Sequence, residues 1–279
     1  MTGIRFAQPR HKYDSYQDMY KLIELSGFEM IYSDEVDISK EGVYIFPVMN
    51  GDVEAHLRNE VNSGKVRYAH LILWNIERPS GSAGSVGNYA KRHRDLIYDR
   101  LFDEVWVSDK RLAEETQLRF VVLGSDENLG QPSDEKRYDF THMSYEIPRR
   151  TNIYKHFNQD NIGYNCWPPE RDEVLKLSKF ALNIHQDIHP FQEPLRLSLF
   201  AAYALPVVSE TIFDAYPWDD TVAVFSGYDS IVSRLRQALD EDYEPYKQMG
   251  LRARERMTGE FQFGKCVKLA VSQSLDSWR

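Results

Sequence analysis

The stretch Val174–Glu210 reads VLKLSKFALNIHQDIHPFQEPLRLSLFAAYALPVVSE, and it decides the fold. An apolar strand at Phe180–His185 is followed by a mostly apolar helix at Glu193–Tyr203 and a second apolar strand at Leu205–Ser209. Two apolar strands joined by a buried helix form the repeat of a parallel sheet, because parallel neighbours need a long crossover between them. The sequence therefore predicts an α/β unit in which the loop before Glu193 lies at the carboxyl end of a strand.

The same alternation of strands and helices fills the first half of the chain. Short apolar runs predict strands at Ile4–Ala7, Glu29–Tyr32, Val43–Val48, Ala69–Asn75, Glu104–Ser108 and Arg119–Leu123. Amphipathic periodicity predicts helices between them at Ser15–Ser26, Asp52–Asn62 and Tyr89–Leu101. The polar, turn-rich segment Gly124–Arg137 predicts a linker.

After the linker the pattern starts again. Strands are predicted at Tyr138–Met143 and Thr221–Phe225, and helices at Asp172–Ser178 and Ser230–Leu239. The tail is predicted to be helical with a break at Thr258–Phe263. We therefore expect an N-terminal domain of residues 1–130 and a C-terminal domain of residues 131–257. A last helix within residues 258–279 is expected to pack back on the first domain.

Composition narrows the class of protein. The 279 residues are 42% hydrophobic and 13% aromatic, as in folded globular chains. The formal net charge of −9 disfavours a protein that coats duplex nucleic acid, because such proteins carry a basic excess. No apolar run reaches the roughly 20 residues of a membrane span, and the N-terminus lacks an apolar signal core. We therefore expect a cytoplasmic protein without a membrane span.

The two cysteines, Cys166 and Cys266, have no Cys or His neighbour at metal-ligand spacing. The chain also lacks a His-Glu-x-x-His motif and a Cys-x-x-Cys motif. We therefore expect two reduced thiols, no bound metal and no tightly bound cofactor.

The second half resembles the C-terminal domain of GT-B glycosyltransferases, in particular their large retaining group. The resemblance rests on the order of elements in Val174–Glu210 and on ALPVV at residues 204–208. Arg196 on the buried helix, and YDFTHMSYEIPRR at residues 138–150, are similar to the spore-maturation-like subgroup. The resemblance implies two Rossmann-like domains whose parallel sheets face a cleft. It also implies transfer of a sugar from a nucleotide-diphosphate sugar to an acceptor hydroxyl, without metal and with retention of configuration.

The chain departs from that group at three places. The group's paired glutamates, spaced Glu-x7-Glu, fall on Phe191 and Leu199, and its glycine before the last strand is Ala204. A Gly-rich loop after the first strand is replaced by QPRHKYD at residues 8–14. These departures leave the donor's base and sugar unassigned.

Two features of the second half suit the diphosphate of such a donor. The segment Gln192–Leu195 begins a helix whose N–H groups and positive end can bind phosphate oxygens, and Pro194 fits the first helical turn. The pair Arg149 and Arg150 follows a strand and a short loop, where forked guanidinium groups can bind phosphate. The alternatives are an ordinary capped helix start and two solvated arginines.

Arg150 and Arg196 are assigned to stabilise the leaving diphosphate, and Glu193 to accept bonds from a sugar or ribose hydroxyl. The alternative for Glu193 is a helix cap or a salt bridge to Arg196. Trp167 is assigned to stack on the nucleobase, and a buried aromatic plug is its alternative. Three more residues are assigned to the donor site from their places at or after strand ends: Ser144, His185 and Glu210. For His185 and Glu210 the alternatives are a structural histidine and a surface carboxylate.

The most suggestive segment of the first half is WNIERP at residues 74–79, which ends a buried strand. Glu77 is assigned as an acceptor-side base or hydroxyl ligand, and an ion pair with Arg78 is the alternative. The Gly/Ser-rich loop Ser80–Gly87 either closes over the acceptor or only links two elements.

Three other functions are open on the sequence. A sugar-nucleotide epimerase would use the same fold. A non-catalytic nucleotide-sugar-binding module would account for the missing glutamate pair. A phage-type transferase acting on modified DNA bases would use the basic residues Lys91, Arg92, Arg94 and Arg100. The acceptor, whether glycan, protein or DNA base, and the oligomeric state have no motif in the sequence.

Overall fold

A computed structural model of the chain describes residues 3–11, 14–77, 86–164, 167–186, 188 and 191–278. The chain forms two compact units: unit 1 comprises Met1–Leu123 and Phe263–Arg279, and unit 2 comprises Gly124–Gln262. Lysine and arginine number 19 in unit 1 and 15 in unit 2, whereas aspartate and glutamate number 20 and 23. Most of the acidic excess therefore belongs to unit 2. An anion could bind to this unit only where positive side chains are gathered locally.

Unit 1 is built on a six-stranded parallel sheet. The strands are β1 (Ile4–Gln8), β2 (Glu29–Tyr32), β3 (Gly42–Phe46), β4 (Ala69–Asn75), β5 (Glu104–Val107) and β6 (Arg119–Phe120), in the spatial order β2-β1-β3-β4-β5-β6. The helices are α1 (Gln17–Leu25), α2 (Gly51–Asn62), α3 (Val86–Tyr98), α4 (Lys110–Thr116) and α10 (Phe263–Trp278). The six strands predicted for this half are confirmed, although β6 is shorter than predicted.

Side chains of β4 alternate between the two faces of this sheet. Leu71 and Leu73 lie in a buried cluster with Leu57 of α2. Trp74 points to the other face, where its ring lies 5.6 Å from those of Trp106 and Phe263. Because both faces are covered, the strand is a continuous apolar run rather than an alternating one.

Helix α10 belongs to unit 1 although it follows unit 2 in sequence. Its first residue, Phe263, is fully buried and stacks on Trp74. Further along the helix, Ser274 donates a hydrogen bond to Glu104, and its Oγ lies 3.1 Å from Nε2 of His70. Burial lowers the pKa of His70. A neutral imidazole therefore joins α10 to the start of β4.

Unit 2 is built on a five-stranded parallel sheet. The strands are β7 (Tyr138–His142), β8 (Ile162–Tyr164), β9 (Ser178–Asn183), β10 (Val207–Glu210) and β11 (Ala223–Ser226), in the spatial order β11-β10-β9-β7-β8. The helices are α5 (Pro148–Tyr154), α6 (Glu170–Lys176), α7 (Pro194–Ala202), α8 (Ile231–Asp240) and α9 (Tyr243–Glu255). From β7 the chain moves first to β8 on one side and then to β9 on the other. The carboxyl ends of β7 and β9 are therefore a topological switch point, where α/β sheets bind ligands.

Several local predictions are wrong. Helix α3 begins at Val86, three residues before the predicted start. Helix α4 and strand β8 have no counterpart in the predictions, because each is short and carries little apolar periodicity. Helix α1 begins at Gln17, two residues after the predicted start at Ser15, and its N-cap residue Tyr16 makes no side-chain capping bond. The predicted break in the tail is confirmed, because a π-helical turn at Arg256–Glu260 separates α9 from α10.

Gly250 marks the closest approach of α9 to the end of α7. A Cβ atom at this position would lie 2.8 Å from the carbonyl carbon of Ala204 and 2.9 Å from the nitrogen of Pro206. Backbone cannot move aside as a side chain does, so Gly250→Ala is expected to destabilise the protein by about 3 kcal/mol. Urea denaturation measures the change. Gly259→Ala is the matched control, because a Cβ there has no neighbour within 4 Å; equal losses in both variants would refute the steric explanation.

Candidate functional site

Three neighbouring strands of unit 2 end in polar residues at the switch point. His142 ends β7, Asn183 ends β9 and Glu210 ends β10, and all three are buried. The N-terminus of α7 follows β9, and α5 follows β7. Parallel topology thus gathers two helix starts and three polar strand ends at one edge of the sheet.

Glu193 is the centre of the charged cluster at this edge. Its Oε1 lies 3.2 Å from Nη1 of Arg196 and 3.7 Å from Nη2 of Arg150. Its Oε2 lies 3.1 Å from Nδ1 of His185. Glu193 is the N-cap residue of α7, yet its side chain makes no capping bond. The carboxylate therefore faces cations, and it leaves the first-turn N–H groups of the helix to other acceptors.

The two arginines around Glu193 differ in burial. Arg150 is only 3% exposed, and it donates from Nε to the carbonyl oxygen of Ile184 at 3.0 Å and from Nη1 to that of Tyr145 at 3.2 Å. Arg196 is 18% exposed and donates from Nη1 to Oδ1 of Asn183 at 2.8 Å. Arg150 is thus a fixed cation inside the cluster, while Arg196 lies at its surface.

Arg149 and Glu210 form a second pair beside the first. Arg149 donates from both Nη atoms to the Glu210 carboxylate, at 2.9 and 2.6 Å. The guanidinium lies 3.8 Å from the ring centroid of Tyr228, whose hydroxyl donates to the Arg149 carbonyl oxygen at 2.6 Å. The main-chain N–H of His185 donates to Oε2 of Glu210 at 2.7 Å. The two charges are therefore engaged with each other, and Glu210 is not a surface carboxylate.

His142 is the neutral aromatic part of the cluster. Its ring stacks on Tyr154 at 3.8 Å and on Tyr164 at 4.7 Å. Burial, aided by the positive charges of Arg196 and Arg150, lowers the pKa of His142 to about 3. The imidazole is therefore uncharged throughout the physiological range of pH.

The lowered pKa of His142 makes stability depend on pH. An unfolded chain binds a proton at histidine below pH ~6.5, whereas the folded chain does not, so stability is lost as the pH falls. From this residue alone we expect a loss of about 2 kcal/mol between pH 7.5 and 5.0. Urea denaturation at both pH values should show that this part of the loss disappears in His142→Phe, which keeps a stacking ring. The exposed His156 is the control: a similar effect of His156→Gln would refute the assignment.

The other residues of unit 2 that the sequence analysis assigns to the donor site have the following contacts. Gln192 donates from Nε2 to the carbonyl oxygens of Asp214 and Tyr216, at 2.9 and 2.6 Å, and so holds the loop after β10. Pro194 is the first residue of α7, as predicted, and Leu195 follows it in the first turn. The hydroxyl of Ser144 lies 2.9 Å from that of Tyr154. The ring of Trp167 packs edge-on to Tyr145, with 6.2 Å between centroids.

Glu77, the residue assigned to the acceptor, lies in unit 1 just after β4. Its carboxylate is exposed and accepts a hydrogen bond from the Tyr16 hydroxyl at 2.9 Å. Burial and the charge of Glu77 raise the pKa of Tyr16, which keeps that phenol a donor. The hydroxyl of Tyr89 donates to the Glu77 carbonyl oxygen at 3.0 Å. Arg78 and residues 80–85 of the Gly/Ser-rich loop lie outside the described residues.

Over the described ranges, no three side chains of His, Cys, Asp or Glu converge as a metal-binding group. None of the helices described is long and apolar enough to cross a membrane. Cys266 is a thiol, and Cys166 lies outside the described residues.

Comparison with known proteins yields no matching family model and no matching curated protein. Solved structures do match. Anabaena Alr3699/HepE, in complex with UDP and glucose, has a TM-score of 0.69 at 8% identity, over 98% of this chain and 100% of that one. AviGT4, a glycosyltransferase involved in avilamycin A biosynthesis, has a TM-score of 0.55 at 9% identity, over 98% and 97%. TarM has a TM-score of 0.60 at 9% identity over 95% of this chain, which spans 59% of TarM.

The fold is the GT-B fold. The two Rossmann-like parallel sheets that the resemblance implies are confirmed. Phe191 and Leu199, on which the resemblance places the retaining group's paired glutamates, both have buried side chains. Glu193, two residues after the first of these positions, supplies the carboxylate at the start of α7.

Three residues of the cluster were not predicted from the sequence. Asn183 accepts a hydrogen bond from Arg196, and the Tyr228 ring stacks on Arg149. His142 is close enough to Arg150 and Arg196 for their charges to lower its pKa. Asn183 and His142 end strands of the GT-B sheet, and this position could have identified them as candidate site residues. Tyr228 lies 79 residues from Arg149, and no local pattern joins the two.

Proposed function

We propose that the chain is a glycosyltransferase that moves a sugar from a nucleotide-diphosphate sugar to an acceptor hydroxyl. The observation that supports it best is the convergence of three arginines and the start of α7 at the switch point of unit 2. Cations and helix N–H groups at one sheet edge suit a diphosphate, which carries its charge on oxygens that accept several bonds. The overall charge of unit 2 is acidic, so the local cations are a specific feature of this edge.

The proposed chemistry places negative charge where these groups lie. The bond between the anomeric carbon and the diphosphate breaks and a bond to the acceptor oxygen forms. The leaving diphosphate takes the bonding electrons, and one of its oxygens takes the proton of the acceptor hydroxyl. Arg196 and the first turn of α7 would bind that diphosphate, and Arg150 would add a fixed positive charge. We propose that these groups replace a metal ion, and that configuration is retained, as the resemblance implies.

The remaining donor contacts follow from the same geometry. Glu193 would orient Arg150 and Arg196 and accept a bond from a hydroxyl of the donor. Arg149 would act through Glu210, which it holds in place against the main chain of His185. Trp167, next to Tyr145, would offer a flat face to the nucleobase. In unit 1, Glu77 would act on the acceptor, with Tyr16 fixing one of its oxygens.

A thermal-shift screen against nucleotide-sugars tests this proposal. The complex of Anabaena HepE with UDP and glucose suggests UDP-sugars as the first candidates for this chain. A ligand at 100 times its dissociation constant stabilises the folded state by about 2.7 kcal/mol, so thermal shift against nucleotide-sugars detects it. Product analysis with EDTA present then follows. Transfer to an acceptor supports the proposal, altered sugar without transfer favours an epimerase, and no stabilisation by any nucleotide-sugar refutes it.

A further inference from the structure

Three side chains hold Glu77, an exposed residue of unit 1 that lies just after β4. Its main-chain N–H donates to Oδ1 of Asn75 at 2.9 Å, and its main-chain carbonyl oxygen accepts from the hydroxyl of Tyr89 at 3.0 Å. One oxygen of its carboxylate, Oε1, accepts from the hydroxyl of Tyr16 at 2.9 Å. Both main-chain polar groups of Glu77 and one of its carboxylate oxygens are thus bound by side chains.

His93 of α3 joins two of these side chains. Its Nε2 lies 2.7 Å from Nδ2 of Asn75, and its Nδ1 lies 2.7 Å from the carbonyl oxygen of Tyr89. Its ring also packs on that of Tyr89, with 4.2 Å between the centroids. A closed ring of contacts therefore runs from Glu77 through Asn75, His93 and Tyr89 and returns to Glu77.

The residues behind Glu77 are buried, whereas Glu77 is exposed. Tyr16, Tyr89 and His93 are each at most 9% exposed, so their polar groups need partners within the protein. Burial and the charge of Glu77 raise the pKa of both tyrosines, so their hydroxyls remain donors at physiological pH. Buried hydrogen bonds of this kind fix the geometry of a functional side chain before a ligand arrives.

The partners of Glu77 indicate what its carboxylate binds. Among the residues that the structure describes, no cation pairs with Glu77, and its Oε2 accepts no hydrogen bond. In this respect Glu77 differs from Glu193 and Glu210, whose carboxylates pair with arginines. A neutral hydroxyl can therefore donate to Oε2 without displacing a bond within the protein. A carbohydrate is the class of ligand that offers several such hydroxyls.

We propose that Glu77 binds a hydroxyl of a carbohydrate acceptor through Oε2, and that Asn75, Tyr89 and His93 are positioning residues that act through Glu77. Glu77 is then a hydroxyl ligand rather than a base, because the leaving diphosphate takes the proton of the reacting hydroxyl. The identity of the carbohydrate as an acceptor rests on the proposed function. The ring of contacts does not, because its members are bonded to one another within unit 1.

The first experiment measures carbohydrate binding at Glu77 without any donor. The full chain, labelled with ¹³C at the glutamate carboxyl groups, is titrated with the methyl glycosides of glucose, galactose, mannose and N-acetylglucosamine. Glu77→Gln assigns the carboxyl signal of Glu77. At least one glycoside is expected to shift this signal to saturation. If none of them shifts it, Glu77 is not a hydroxyl ligand for carbohydrate, and the proposal is overturned.

The second experiment tests the positioning role of Tyr89 with the glycoside that responds. Tyr89→Phe keeps the ring that packs on His93 and removes the bond to Glu77, so affinity is expected to fall about fivefold, as for one hydrogen bond. Tyr44→Phe is the matched control, because Tyr44 is also buried in unit 1 but its hydroxyl accepts from Arg5. An equal fall in both variants, or none in Tyr89→Phe, would leave the ring a purely structural role.

The two experiments separate this inference from the proposed function. If a glycoside binds at Glu77 and no nucleotide-sugar is a donor, the proposed function fails and the hydroxyl site stands. If transfer occurs and the Glu77 signal responds to no glycoside, the inference fails and the proposed function stands. If Tyr89→Phe does not fold, Asn75→Ala replaces it, since that change also removes a bond to the main chain of Glu77.

Discussion

Arg196→Ala is expected to lower turnover by at least about 100-fold while the protein stays folded. The magnitude is that of removing one donor aimed at the charge that develops in a transition state. Arg196 is the more exposed of the two arginines around Glu193, at 18%, and its Nη1 contacts only Asn183 and Glu193 among the described bonds. Asn183 keeps its bond from Nδ2 to Ser209, so the strand ends stay in place. The expected change in stability is that of a surface ion pair, about 1 kcal/mol or less.

The measurement pairs kcat with the melting temperature, using the donor found by the nucleotide-sugar screen. Arg196→Lys keeps the positive charge but not the forked donors of the guanidinium group. Its activity is expected to lie between that of Arg196→Ala and that of the wild type. Arg234→Ala is the matched control in the same unit, because Arg234 is half-buried on α8 and its side chain donates to that of Gln237. Turnover within threefold of the wild type in Arg196→Ala would remove Arg196 from the catalytic assignment.

The fold could be predicted from the sequence because both sheets are buried on two faces. A strand such as Ala69–Asn75 is then apolar along its whole length, and its predicted bounds match β4. The helix of Val174–Glu210 was found for the same reason, since α7 is almost entirely buried. Strand β8 was missed because Ile162–Tyr164 has three residues, one of them Gly163, and no length on which periodicity can act.

The candidate site could be predicted only as a list of positions. Strand ends and helix starts are readable from the chain, and they gave Arg149, Arg150, His185, Glu193 and Glu210 as neighbours of one sheet edge. Tertiary packing decides which arginine pairs with which carboxylate. The pair Arg149–Glu210 spans 61 residues, and nothing local distinguishes Arg149 from Arg150. The structure shows that adjacent arginines on one short helix face different carboxylates.

Because Arg150 is buried, its removal is expected to lower both the stability of the protein and its turnover. Arg150→Met is expected to destabilise unit 2 by about 3 kcal/mol and to lower turnover about 100-fold at temperatures where the variant is folded. Two carbonyl oxygens, those of Ile184 and Tyr145, lose their donor in a dry place, and Glu193 loses one of its cations. Methionine fills the volume of the stem, so the loss reports charge and hydrogen bonds rather than a cavity.

Lys155→Met, one turn beyond Arg150 on the same segment, is the control for this variant. Lys155 is exposed and donates to Asn152 at 2.9 Å, so its removal should change stability by less than about 0.5 kcal/mol and leave turnover intact. Urea denaturation and initial rates measure both quantities in both variants. If Lys155→Met loses turnover and Arg150→Met keeps it, the lysine is the phosphate ligand and Arg150 is structural. If Arg150→Met is as stable as the wild type, its buried bonds do not hold α5 against β9, and the cluster is assembled by Arg149 and Glu210 instead.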